Sequence, residues 1–182
     1  MELKDPKTVL TTRPFTVEQF HLKLDEHVIA QPYYRLVCPD WVNVLPVTSK
    51  GQAILIRQPR AGAAKVILET PGGVIDAHEK DPTMAAMREL EEETGFTTQR
   101  ILPLGSPYAN PAIQTNRVHL FVALGCYVNP ERQHFPDPDE RIEVVAVDVA
   151  ELDTLVRTGQ VDHAYSALCI MLAGKYLTKK PG

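Results

Sequence analysis

A short run of glutamates inside a well-marked helix narrows what this chain can become more than any other feature. Asp81 suits an N-cap, Pro82 the first helical position and Gly95 a left-handed stop, so the chain predicts a helix over 82–94. At about 100° per residue, Glu89, Glu92 and Glu93 share one face, while Glu91 points roughly the opposite way, towards solvent. Like charges at this spacing destabilise a helix by roughly 0.2–0.5 kcal/mol per pair in water, and by more when partly buried. These three also lie towards the helix C-terminus, where the macrodipole disfavours anions. A hard cation would neutralise such a face, and an all-oxygen donor set suits Mg²⁺ or Mn²⁺ rather than zinc. Arg88 stands one turn before Glu92 and can pair with it. The plain alternative is a solvated acidic helix. The Gly72-Gly73 turn, the Arg-Glu pair and the glycine stop, all at fitting offsets, weigh against it.

Around this helix the chain reads as short strands. Apolar and β-branched runs at 28–30, 33–37, 42–47 and 53–57 precede it, with a hairpin turn at Ser49-Lys50-Gly51. Further runs follow at 100–102, 118–124 and 142–147, then helices over about 148–157 and 161–177, separated by Gly159. Residues 1 to about 26 are polar and mixed and are expected to end in a short helix through 15–20. The helices are too few to alternate with every strand. A mixed α/β fold, with helices packed on a central sheet, is expected rather than a doubly wound parallel one.

With 182 residues, 44% of them hydrophobic and 23% charged, one compact soluble domain with a real core is expected. A net charge of −4 argues against a general nucleic-acid binder, which carries a basic patch. The first 13 residues show no signal peptide, and nothing approaches the roughly 18 to 20 apolar residues of a membrane span. Cys38, Cys126 and Cys169 are odd in number and far apart, which suits three buried thiols in a reducing cytoplasm.

Gly73, Glu79, Arg88, Glu89, Leu90, Glu92, Glu93, Gly95 and Phe96 together resemble the Nudix box, G-x5-E-x7-R-E-U-x-E-E-x-G-U, where U is bulky and apolar. One departure is visible: eight residues, not seven, separate Glu79 from Arg88. A one-residue insertion before the helix leaves Glu89, Glu92 and Glu93 undisturbed and the placement of Glu79 open. The resemblance implies a Nudix-like α/β/α sandwich that hydrolyses a pyrophosphate with Mg²⁺, Mn²⁺ being possible in its place. It implies that Glu89 and Glu93 hold the main metals, with Glu92 and the Gly72 carbonyl as further ligands. Glu92 and Arg88 count among the catalytic candidates.

The box indicates the reaction and not the substrate. Three features outside it resemble the ADP-ribose and nucleoside diphosphate sugar pyrophosphatase group: Pro111, fifteen residues after Phe96; the strand end Ile56-Arg57-Gln58-Pro59-Arg60; and the acidic loop Asp137-Pro138-Asp139-Glu140. By this resemblance Arg60 reaches substrate phosphates or a motif carboxylate, Arg57 is a weaker candidate, and Glu140, before Asp139, is the general base. Trp41, Tyr33 or Tyr34 could stack on the base, and Asn110, Gln114 and Asn116 could contact the sugar. The resemblance covers roughly residues 42–177. Strands before it, within residues 1–40, resemble an extra antiparallel segment that dimerises this group, so a homodimer is expected, with residues 41–182 as the hydrolase domain. Other nucleotides (triphosphates, dinucleoside polyphosphates, coenzyme A, an RNA cap) remain alternatives, as does a non-catalytic nucleotide sensor.

Overall fold

The computed structural model describes residues 1–177, which form two compact units. The first unit contains Met1–Asp40 and Pro107–Val118, and the second contains Trp41–Ser106 and the chain from His119 onward.

In the first unit, β1 (Glu2–Thr11), β2 (Thr16–Leu24), β3 (His27–Val28) and β4 (Tyr33–Val37) form an antiparallel sheet. The helix expected at 15–20 is therefore a strand. β2 is paired on both sides, with Leu10↔Val17 on β1 and Gln19↔Tyr34 and Phe20↔Tyr33 on β4. An isolated six-residue helix is marginal in water, whereas Thr16 and Val17 suit a pleat and the ladders satisfy the backbone. The Phe20 and Tyr33 rings stack at 6.1 Å, and Arg35 pairs with Glu18 at 2.8 Å. The segment 107–117 docks on β4 through Leu36 N–H to Ile113 O (2.7 Å) and Thr115 N–H to Leu36 O (3.1 Å).

The second unit holds a seven-stranded sheet made of β5 (Trp41–Thr48), β6 (Gln52–Arg60), β7 (Lys65–Glu69), β8 (Phe96–Thr97), β9 (Arg100–Gly105), β10 (Val118–Val128) and β11 (Glu143–Asp148). Its order is β11-β6-β5-β10-β8, with β7 on β6 and β9 on β10. The helices are α1 (Pro82–Thr94), α2 (Leu152–Arg157) and α3 (Ala164–Leu177). Alternation along β5 assigns them to layers. Val42 and Val44 pack with Ala85, Ala86 and Leu90 of α1, while Asn43 bonds through Thr70 to Ser166 of α3. The result is the mixed α/β sandwich expected. β7 and β8 were not anticipated, and the helix expected from 148 opens as a 3₁₀ turn, Val149–Glu151, capped by Asp148. The β5–β6 hairpin closes at Gly51, with φ 77° and its N–H on Thr48 O at 3.1 Å.

All three cysteines are free; Cys126 and Cys169 are buried, but Cys38 is only partly so. No helix among the described residues is long and apolar enough to cross a membrane.

Candidate active site

α1 is delimited as its sequence dictates. Asp81 accepts the Thr83 N–H at 2.9 Å, and Gly95, at φ 75°, donates to Glu91 O at 2.8 Å. Because Ala85, Ala86 and Leu90 face the sheet, their neighbours Glu89 and Glu93 are carried inward and are only 8% and 6% exposed. Gly72 N–H donates to Glu93 Oε2 at 2.7 Å. A Cβ on Gly73 would lie 2.3 Å from Glu89 Oε1, and one on Gly72 would lie 2.2 Å from Val42 O. Only glycines let the turn approach both the carboxylate and β5 this closely.

One guanidinium organises the acidic face. Arg88 Nη1 donates to Glu89 Oε1 (2.8 Å) and Glu92 Oε2 (3.0 Å), Nε donates to Glu79 Oε1 (3.0 Å), and Nη2 donates to Val74 O (3.0 Å) and Glu79 Oε2 (3.2 Å). Glu79 thus reaches Arg88 despite the extra residue. A turn joins Glu79 N–H to Asp76 O at 2.9 Å and presents the carboxylate to Arg88.

Burial raises the Glu89 carboxyl to about 7; Arg88 opposes that rise, while Glu92 and Glu140 add to it. Burial, reinforced by Glu89, raises Glu93 well above the ordinary carboxylate range. Burial works against the charge of Arg88, but its carboxylate partners outweigh it and raise the guanidinium further. Arg88 divides its compensation among three carboxylates, which leaves Glu89 short of full neutralisation.

This has a consequence for stability. The folded Glu89 carboxyl titrates above its unfolded value, so the folded state binds the extra proton between the two. Its contribution is complete below about pH 4.5 and is lost as pH rises through about 7. In chelator, the thermal midpoint is expected to fall between pH 5 and 8, by the equivalent of roughly 3 kcal/mol at most from this group. A flat midpoint across that window would contradict the burial of a carboxylate that Arg88 only partly compensates.

The other candidates are placed as follows. Glu140 lies in the β10–β11 loop, exposed, with its Oε2 accepting the Asp137 N–H at 3.2 Å, and its charge is felt at Glu89. Arg60 bonds to Glu69 at 2.7 Å rather than to a motif carboxylate, although its charge reaches Glu93. Arg57 falls on the opposite face of β6 from Arg60, paired with Glu143 at 2.9 Å. Trp41 opens β5, with its ring 6.0 Å from Tyr165. Pro111 belongs to the first unit and is exposed there, in the segment that also holds Asn110, Gln114 and the buried Asn116. Tyr33 and Tyr34 belong to the same unit.

Two features escaped the sequence reading. Glu69 is fully buried, with Oε1 on Arg60 and Oε2 3.1 Å from His163 Nδ1. His163 in turn meets Ser166 Oγ at 2.9 Å, and Ser166 accepts the Thr70 N–H at 2.9 Å. The only available signal was an apolar run, Val66-Ile67-Leu68, ending in a carboxylate just before the glycines. Glu91 keeps the open side of the helix, as expected, and there accepts the N–H groups of Gln133 and His134, a loop contact the helical period does not reveal. Among the described residues, no group of three or more His, Cys, Asp or Glu converges as a ready cation cage. The reason lies in the contacts above: Glu89 and Glu92 are turned to Arg88, and Glu93 to Gly72.

The sandwich, the glycine turn and the Arg88-centred carboxylates define a recognisable class. The NUDIX domain model matches residues 39–167, and the chain belongs to that family as a Nudix hydrolase. It is 35% identical over 132 residues to an ADP-ribose pyrophosphatase of Bacillus subtilis (strain 168), covering 72% of this chain and 70% of that protein. It is 29% identical over 173 residues to a methanol dehydrogenase activator of Bacillus methanolicus, covering 93% and 92%. A GDP-mannose pyrophosphatase of Salmonella typhimurium is 26% identical over 131 residues, covering 68% and 66%. The crystal structure of an ADP compounds hydrolase superposes with a TM-score of 0.83 at 26% identity, covering 97% of this chain and 93% of that one.

Proposed function

We propose that the protein hydrolyses the pyrophosphate of a nucleoside diphosphate sugar, such as ADP-ribose or GDP-mannose, to a nucleoside monophosphate and a sugar phosphate. The observation that carries this reading is the pair of buried carboxylates, Glu89 and Glu93, packed against Gly72-Gly73, with no side-chain cation among the described residues bonded to both. Their oxygen donors, with Glu92 and the Gly72 carbonyl, suit Mg²⁺, or Mn²⁺ in its place. Such a cation supplies charge screening for the diphosphate and acidifies water. The chain's residues supply the rest. Arg88 orients Glu89 and Glu92. Glu140 takes the proton as water oxygen bonds to one phosphorus and the bridging P–O bond breaks. Arg60 is assigned to the phosphates, with Trp41 as a further substrate contact. The pyrophosphatase names among the relatives support the substrate class.

A homodimer and a cytoplasmic location form part of the same reading. Val9, Leu10, Val28, Tyr33 and Tyr34 leave apolar surface exposed on the first unit, and three free thiols suit a reducing compartment. Light scattering should give twice the 20.3 kDa chain mass, and a monomer at micromolar concentration would remove the dimer from the proposal.

The test is product analysis with ADP-ribose, GDP-mannose, UDP-glucose, dNTPs, diadenosine polyphosphates and coenzyme A, with and without Mg²⁺. Mg²⁺-dependent release of AMP or GMP from the sugar nucleotides is expected. Hydrolysis confined to triphosphates or polyphosphates would discard the substrate assignment, and no turnover at all would favour a nucleotide sensor.

A further inference from the structure

The chain between β10 and β11 is tied to the C-terminal end of α1 at successive points. Asn129 N–H donates to Gly95 O at 2.9 Å, immediately past the helix stop. Arg132 Nη2 donates to Glu92 O at 2.6 Å, one of the last carbonyls of the helix, which lack a partner within it. The Arg132 side chain also covers Gly95, where an added Cβ would come within 3.2 Å of Nη1. Its Nε bonds His134 O at 2.8 Å, and its guanidinium lies 4.6 Å from the Phe135 ring centroid. Glu91 then receives two backbone donors on a single oxygen, Oε1, from Gln133 and His134. The loop therefore wraps the helix from its end to the face opposite the buried carboxylates. It next enters the turn Asp137-Pro138-Asp139-Glu140, closed by Glu140 N–H to Asp137 O at 2.9 Å.

A solvated loop between two strands would leave these donors to water. Here a carboxylate of α1 and a guanidinium of the loop hold helix and loop in one register, with Glu89, Glu92 and Glu93 on the same helix. We infer that Glu91 and Arg132 are positioning residues, which clamp the β10–β11 loop onto α1 and thereby set the place of the turn that carries Glu140. The inference rests on the reading of Glu140 as the proton acceptor. Glu91 is assigned to act through the loop whose N–H groups it accepts. A misplacement of about 1 Å at a catalytic group can cost on the order of 10²-fold in rate.

The test compares Glu91→Ala, Glu91→Gln, Arg132→Gln, Glu140→Gln and the double variant Glu91→Ala/Glu140→Gln. Turnover of the sugar nucleotide hydrolysed by the parent protein is followed together with hydrogen exchange over residues 129–142. Glu91→Ala is expected to lower kcat by roughly 10- to 100-fold with KM little changed. Exchange at Gln133 and His134 should accelerate while that of α1 stays slow. Glu91→Gln keeps an acceptor oxygen and should recover most of the rate. Arg132→Gln should match Glu91→Ala, which keeps the inference open to test if either variant folds poorly. The double variant should be no slower than Glu140→Gln alone, because a clamp has nothing to position once the base is gone. Normal kcat and unchanged exchange in both Glu91→Ala and Arg132→Gln would overturn the clamp. A Glu140→Gln protein with parental kcat would instead overturn the assignment of the base. The two failures are therefore distinguishable.

Discussion

Replacing Glu93 with Gln is expected to lower kcat by roughly 10³-fold or more while the fold survives. Glu93 is 6% exposed, lies on the same helix face as Glu89, and has one oxygen on the Gly72 N–H at 2.7 Å. Glutamine preserves that shape, and its amide oxygen can still accept from Gly72. What disappears is a buried negative charge that desolvation and Glu89 already disfavour. In chelator the variant should therefore melt at or above the parental temperature. With millimolar Mg²⁺ the parent should gain stability by mass action, and the variant should gain far less. Steady-state rates and melting curves with and without Mg²⁺ check both halves. Near-parental turnover would sink the assignment of Glu93 to the metal.

The second large effect is expected at Arg88. Its side chain is 19% exposed, and it answers Glu79, Glu89 and Glu92, whose side chains are only 10%, 11% and 22% exposed. Truncation to Ala leaves three partly buried carboxylates and the Val74 carbonyl without their common donor. Removing one partner from a buried charge cluster costs about 3 kcal/mol. For a chain of this size that corresponds to a fall of roughly 6–12 °C in Tm. Lysine should restore little, because one ammonium cannot present the planar fork that meets three acids and a carbonyl together. A fall under about 2 °C in Arg88→Ala would mean that water already screens these pairs.

Several parts of this arrangement could be read from neighbouring residues alone. Asp81, Pro82 and Gly95 mark the ends of α1 because capping depends on groups within a few residues of each end. The shared face of Glu89, Glu92 and Glu93 follows from helical period, and so does the Arg88–Glu92 pair at 3.0 Å. The β5–β6 turn at Gly51 is equally local. The Nudix class was legible for the same reason, since its signature is compact along the chain.

Tertiary structure decided the remainder. Residues 16–24 became a strand because β1 and β4 offered ladders on both sides, outweighing any short helix. Glu91 has the angular position of a solvent-facing residue, and only the loop arriving some forty positions later gives it two donors. Glu69 is buried with Arg60 and His163, and the Thr70 N–H finds Ser166 across 96 residues of sequence. Caps and periodicity are short-range, so the chain carries them wherever it folds. Burial, and the pKa values and donor partners that burial creates, exist only once segments far apart in sequence have excluded water between them.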